Sequence, residues 1–193
     1  MGFIAKTCYY FENPGPENTE DAARFAIGRA QELGISTIVV ASSSGKTAQV
    51  FFGAMKGTGL SLVVVTHFSQ SGEWEFSEAT AQELRKQGVR IVTGTLALSG
   101  LERALSRSPR VGGGSRTEAI AEALRQIVGS GLKVAVECVL IAADQGVIGI
   151  ENEVVAVGGT RSGADSVCVI RPAHTASFFD LQVREIVTMP RVR

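Results

Sequence analysis

Cysteine is scarce in this chain of 193 residues: Cys8, Cys138 and Cys168 are odd in number and far apart. They form neither a CxxC pair nor a metal-ligand spacing, which excludes a disulfide framework and a structural zinc site. Their apolar neighbours mark them as buried free thiols of a reducing compartment. An excess of one charge is also missing, since 19 Lys and Arg residues balance 19 Asp and Glu residues. That balance gives no broad electrostatic reason to bind nucleic acid or an anionic membrane. No apolar run approaches the roughly 20 residues of a membrane helix. The opening Met1-Gly2-Phe3-Ile4-Ala5-Lys6 has no basic stretch followed by an apolar one. The expectation is a cytoplasmic protein, with no nucleic acid and no membrane among its partners.

What is present is enough to build a core: 45% of residues are hydrophobic and the mean hydropathy is +0.18. Its length suits one domain, residues 1–193, with no linker between two large halves. Short β-branched runs alternate with helical segments. Ile4–Phe11 reads as a first strand, broken by Asn13-Pro14-Gly15-Pro16. Asn18 or Thr19 can cap a helix that runs to Leu33 and stops at Gly34. Ser36–Ala41 and Leu60–Thr66 are continuous apolar strands of the kind buried on both faces of a parallel sheet. A helix to about Met55 lies between them. A further helix over Ser77–Gln87 and a strand over Val89–Thr93 follow. This rhythm implies right-handed crossovers in an α/β fold, a three-layer α/β/α arrangement with a mostly parallel sheet.

The second half is less regular. Leu98–Ser106 reads as a short helix and Thr117–Val128 as an amphipathic one. Lys133–Ala143 is mostly apolar, which suits strand or helix, and its length and alanines favour helix. Glu153–Val157 and Ser166–Ile170 read as strands joined by a glycine-rich loop. Phe178–Met189 is an apolar tail, which either completes the core or supports a homodimer or higher homo-oligomer.

The strongest local signal is Ser42-Ser43-Ser44-Gly45-Lys46-Thr47, between a buried strand and a helix. Ligands of parallel α/β sheets bind outside the carboxyl ends of the strands. A helix N-terminus there offers free N–H groups and partial positive charge, and hydroxyls, a glycine and a lysine add to it. These groups suit a phosphate; capping of the helix by the serines is the other reading. The segment is not a nucleotide-triphosphate P-loop. That motif needs glycine five residues before Gly45, where Val40 stands, and no Walker-B aspartate ends the strand Leu60–Thr66. A second anion-binding candidate is Gly158-Gly159-Thr160-Arg161, at a strand end. Gly112-Gly113-Gly114 is a third. Thr66 and His67 end a buried strand on the same expected edge, as do Asn13, Gly15 and Asn18. His67, Glu137 and Asp144 are the visible acid–base candidates, and no Ser/His/Asp or Cys/His set emerges.

The run Thr37–Ala48, followed by Leu62-Val63-Val64-Val65-Thr66-His67, resembles the C-terminal α/β domain of pyruvate kinase. The whole chain is similar to a stand-alone, mostly prokaryotic family of this fold. The similarity lies at Tyr10-Phe11-Glu12-Asn13-Pro14-Gly15, Ser99-Gly100-Leu101-Glu102-Arg103-Ala104, Lys133-Val134-Ala135-Val136-Glu137, Ala143-Asp144-Gln145-Gly146, Gly158-Gly159-Thr160 and Gly163-Ala164-Asp165. The resemblance implies a pyruvate kinase C-terminal-domain-like fold without the catalytic barrel, hence no pyruvate kinase activity. It also implies FMN as ligand, its phosphate on Ser42–Thr47, with Thr66, His67 and the Gly158–Arg161 loop around the rest. Leu96 stands where the resemblance leads one to expect histidine. A flavin-dependent or phosphosugar-handling enzyme, and a non-catalytic module answering a phosphorylated effector, are the alternatives.

Overall fold

The computed structural model describes residues 2–68, 74–98, 100, 106 and 115–192. Seven strands form one sheet: β1 (Tyr9–Phe11), β2 (Thr37–Ala41), β3 (Ser61–Thr66), β4 (Arg90–Thr93), β5 (Val154–Gly158), β6 (Ser166–Arg171) and β7 (Gln182–Pro190). Their spatial order is β1-β7-β6-β5-β2-β3-β4. Among the described residues five α-helices have both ends defined: α1 (Thr19–Leu33), α2 (Lys46–Met55), α3 (Glu78–Lys86), α4 (Arg116–Val128) and α5 (Ser130–Asp144). Short 3-10 turns stand at Pro16–Asn18 and Thr175–Asp180.

Alternation along the strands builds the layers, because neighbouring side chains on a strand point to opposite faces. Ile38 and Val40 of β2 join Val64, Val155 and Val157 in a core beneath α1 and α2. Val39 joins Val63, Ala156 and Cys168 in a second core against α5. The sheet is thus buried on both faces, as its unbroken apolar runs require. It is mostly parallel: β6 alone is antiparallel to its neighbours β5 and β7.

Helix α1 presents Ala22, Ala23, Ala26 and Ala30 to the sheet, and these small side chains let it lie close. It ends where Gly34 turns left-handed at φ 67° and Ile35 N–H bonds back to the Ala30 carbonyl at 2.9 Å. Helix α5 is buried nearly all round, from Gly131 to Ala143. That explains the ambiguous pattern of Lys133–Ala143, since a core helix has no polar face to reveal its period. The first strand is shorter than Ile4–Phe11. Only Tyr9–Phe11 pairs with β7, while Phe3 and Ile4 stand exposed. The apolar tail enters the sheet as β7, with Val187 and Met189 in the two cores. The short helix expected over residues 98–106 and the Gly112–Gly114 run fall almost wholly outside the described residues.

Arg29 ties α1 to β7. Its side chain is 8% exposed, and Nε and Nη2 donate to the two oxygens of Glu185 at 2.7 and 2.6 Å. This fork holds the Glu185 carboxyl below its ordinary value, against the opposite push of burial. A lowered carboxyl stabilises the fold above its unfolded value of 4.5, and that contribution is lost as pH falls through the folded value. An Arg29→Gln variant is expected to be less stable at neutral pH and to lose less on acidification. Urea midpoints taken at neutral pH and well below 4.5 check both signs.

Candidate functional site

From β2 the chain moves outward through β3 to β4, whereas β5, on the other side of β2, leads to β6 and β7. The carboxyl ends of β2 and β5 therefore flank a topological switch point, the usual ligand crevice of open α/β sheets. A cleft of about 790 Å³ opens there, lined from the β2–α2 loop, the β5–β6 loop, the turn into α1 and the first turns of α5.

The β2–α2 loop is fixed residue by residue. Ser42 is buried; its amide bonds the Val65 carbonyl at 3.0 Å, and its Oγ accepts from Ala48 N–H at 3.3 Å. Ser42 thus satisfies one amide in the first turn of α2, although the N-cap position itself is Gly45 and has no side-chain cap. Gly45 has φ 89°, and a Cβ there would stand 2.8 Å from the Phe76 ring, so only glycine fits. Ser43, Ser44, Lys46 and Thr47 line the cleft beside Ser42, with Lys46 exposed.

His67 lies at the end of β3, with Nε2 3.4 Å from Ser43 Oγ and Nδ1 2.7 Å from the Phe68 carbonyl oxygen. A carbonyl only accepts, so Nδ1 carries a proton, and in the Nδ1–H tautomer Nε2 accepts from the Ser43 hydroxyl. No local pattern announces this pair, because residues 24 positions apart meet only through β2–β3 pairing. Thr66 is buried behind the loop, its Oγ1 donating to the Ser43 carbonyl at 3.4 Å.

The β5–β6 loop is held by buried Asp165, which accepts from Thr160 N–H at 3.0 Å and from the Ser166 hydroxyl at 2.8 Å. Arg161 takes a left-handed φ of 69°, uncommon outside glycine. Gly159, Arg161, Ser162 and Gly163 line the cleft, while Gly158 and Thr160 do not. Thr19 joins this loop to the turn into α1: its Oγ1 donates to the Pro16 carbonyl at 2.6 Å and accepts from Ala164 N–H at 3.1 Å. Asn13 and Asn18 shape that turn rather than line the cleft. Asn18 Nδ2 donates to the carbonyls of Asn13 at 2.9 Å and Gly15 at 3.3 Å.

Sequence reasoning missed two sides of the cleft. Glu17 and Glu20 reach it from the turn into α1, and Glu75 from the segment before α3. Ser130, Val134 and Cys138 reach it from α5. A firm reading of α5 as a helix starting after Gly129 would have placed its first turn at the sheet edge. The wall formed by Ala41, Val65, Leu96, Val134 and Cys138 is apolar. Leu96, in the position where the resemblance suggested histidine, therefore faces this space. Burial pushes the Cys138 thiol well above its ordinary range and the Cys168 thiol up to about 12, so neither is a thiolate nucleophile at neutral pH.

Two acid–base candidates lie elsewhere. Glu137 is wholly buried, bonded to the Lys133 ammonium, and accepts Leu98 N–H at 2.9 Å. Asp144, at the far end of α5, accepts from the Thr175 amide at 3.0 Å and hydroxyl at 2.6 Å, with His174 at 3.3 Å. His67 is the candidate that lines the cleft. Among the described residues no group of three or more His, Cys, Asp or Glu could hold a metal ion, and no helix is long and apolar enough to cross a membrane.

The model of the pyruvate kinase alpha/beta domain matches residues 20–170. Among solved structures, a pyruvate kinase from Cryptosporidium parvum is 17% identical, with 80% of this chain and 23% of that chain covered and a TM-score of 0.40. That organism's pyruvate kinase in complex with ADP is 16% identical, with 89% and 24% covered and a TM-score of 0.38. An SAH-bound methyltransferase from Podospora anserina is 12% identical, with 75% and 63% covered and a TM-score of 0.29. The chain thus spans about a quarter of the length of the pyruvate kinases it matches.

Proposed function

The chain belongs to the pyruvate kinase alpha/beta domain family, and from that premise we propose that it binds a phosphate-bearing small molecule, with FMN the favoured occupant, in the cleft between the ends of β2 and β5. The observation that carries the reading is the make-up of the cleft. Ser43, Ser44, Lys46 and Thr47 of the β2–α2 loop and Arg161 of the β5–β6 loop line it together with apolar Ala41, Val65, Leu96, Val134 and Cys138, while Glu17, Glu20 and Glu75 supply its negative charge. Hydroxyls and cations beside apolar surface fit a phosphate joined to a planar ring, and about 790 Å³ lies within the usual range for such ligands. Lys46 and Thr47 sit in the first turn of α2, where the helix dipole also favours a phosphate. Leu96 in place of histidine makes the ring contact apolar.

When bound, a flavin supplies electron and hydride transfer. The enzyme alternative draws on His67 as the acid–base group within the cleft, but not on Glu137 or Asp144. The absorption spectrum of the purified protein and the mass of any molecule released on denaturation test the ligand directly. Alanine at Ser43, Lys46 or Thr47 should each weaken FMN binding by about tenfold, or about 1.4 kcal/mol, and all three together by more. Unchanged affinity in the triple variant would sink the assignment.

A further inference from the structure

We infer that the cleft selects a phosphate group able to arrive with a proton, and that His67 is the residue that sets this specificity. The inference rests on the binding reading above and names the ionisation and class of its ligand: a phosphate monoester, in preference to a sulfate or another anion that carries no proton at neutral pH.

The reasoning is a count of hydrogens. The Ser43 hydroxyl has one proton to give, and its bonding partner is His67 Nε2, at 3.4 Å. His67 cannot turn its own proton toward Ser43, because Nδ1 donates to the Phe68 carbonyl at 2.7 Å. Ser43 therefore meets an incoming anion with its lone pairs. A fully ionised phosphate has acceptors alone, so two acceptors would face each other across the contact. One additional proton removes the conflict in either of two ways. It can sit on the ligand, as P–OH donating to Ser43 Oγ. It can instead sit on His67, whose Nε2–H then donates to Ser43 and frees the serine proton for the phosphate. Each case brings one proton into the complex. The second ionisation of a phosphate monoester lies near pH 6, where such a proton is accessible on the ligand. A sulfate carries none, which leaves it only the second way.

Among the described residues, the charged groups that line the cleft with His67 are Lys46 on α2, Arg161 on the β5–β6 loop, Glu17 and Glu20 at the start of α1, and Glu75 ahead of α3. Among the described residues none of them is bonded to His67, whose partners are Ser43 and Phe68. The proton count at Ser43 is thus governed by His67.

Titration calorimetry of the intact protein, in buffers of different protonation enthalpy at about pH 8, reads the proton directly. The probes are FMN, inorganic phosphate and inorganic sulfate. The wild type should take up about one proton per FMN bound and favour phosphate over sulfate by roughly tenfold. His67→Ala frees the Ser43 hydroxyl to donate, so the uptake should vanish and the preference should shrink. Ser43→Ala should lose the uptake too, by removing the other half of the pair. Thermal melts establish that both variants are folded. FMN binding whose heat does not depend on the buffer, or an uptake that persists in His67→Ala, would overturn the inference while leaving the binding reading intact. No heat from FMN or phosphate at any pH would overturn both.

Discussion

Lys133→Met is expected to destabilise the protein by about 3–5 kcal/mol, the usual cost of breaking a buried ion pair by removing one partner. Lys133 and Glu137 lie one turn apart on α5, and their side chains are 2% and 0% exposed. Methionine keeps most of the volume and the apolar stem, so the loss is electrostatic: a carboxylate sealed from water gives up its nearest cation. The effect extends to the cleft, because Glu137 Oε1 holds Leu98 N–H at 2.9 Å and so fixes the segment that carries Leu96 to the wall. Urea denaturation would measure the loss, which for a chain of this size corresponds to a fall of roughly 10 °C in Tm. The double variant Lys133→Met/Glu137→Gln should recover part of it, since glutamine keeps an acceptor for Leu98 without the charge. A loss below about 1 kcal/mol in the single variant would show that the pair is not needed.

Gly158→Ala should cost about 3 kcal/mol, the upper part of the range for an overpacked core. The added Cβ would stand 2.1 Å from the Gly131 carbonyl oxygen and 3.0 Å from Ala135 N, both of them backbone atoms that no rotamer change can move. Relief requires the first turn of α5 to lift from β5, which would carry Ser130 and Val134 away from the cleft. Loss of FMN binding should therefore accompany the loss of stability. Gly53→Ala supplies the opposite sign, because nothing stands within 4 Å of its added Cβ and the residue lies inside α2. That change should stabilise by about 0.5–1 kcal/mol. If both substitutions prove neutral, the close approach of α5 to β5 is not what fixes the cleft.

The parallel half of the sheet was legible because its signals are local. Thr37–Ala41 and Ser61–Thr66 are unbroken apolar strands, and Gly34 and Gly88 end the helices that precede β2 and β4. The phosphate-loop candidate could be read for the same reason, since strand, serines, glycine and helix are consecutive. The harder features depend on distant partners. Nothing near Lys133 announces that its charge is spent on Glu137 inside a core helix. Nothing near Ser43 announces His67, and Glu17 and Glu20 face the cleft because Thr19 is bonded to Ala164 across the fold. Asn13 and Asn18 show the converse: they occupy the expected edge, yet their amides and carbonyls are used in the turn itself.

The pairing of β1 with β7 also bears on how the chain folds. Tyr9 sits opposite Thr188, and the Arg191 amide bonds the Phe11 carbonyl at 2.7 Å. β1 can be paired only after β7, which lies far downstream in the chain, has emerged. Closing so long a loop costs entropy that the neighbouring β5–β6 hairpin does not have to meet. During translation β1 therefore waits as an unpaired edge, with Tyr9 and Tyr10 in water. The growing chain carries this strand unpaired until β7 arrives to cover it, and its shortness, three residues, limits the edge it offers to other chains.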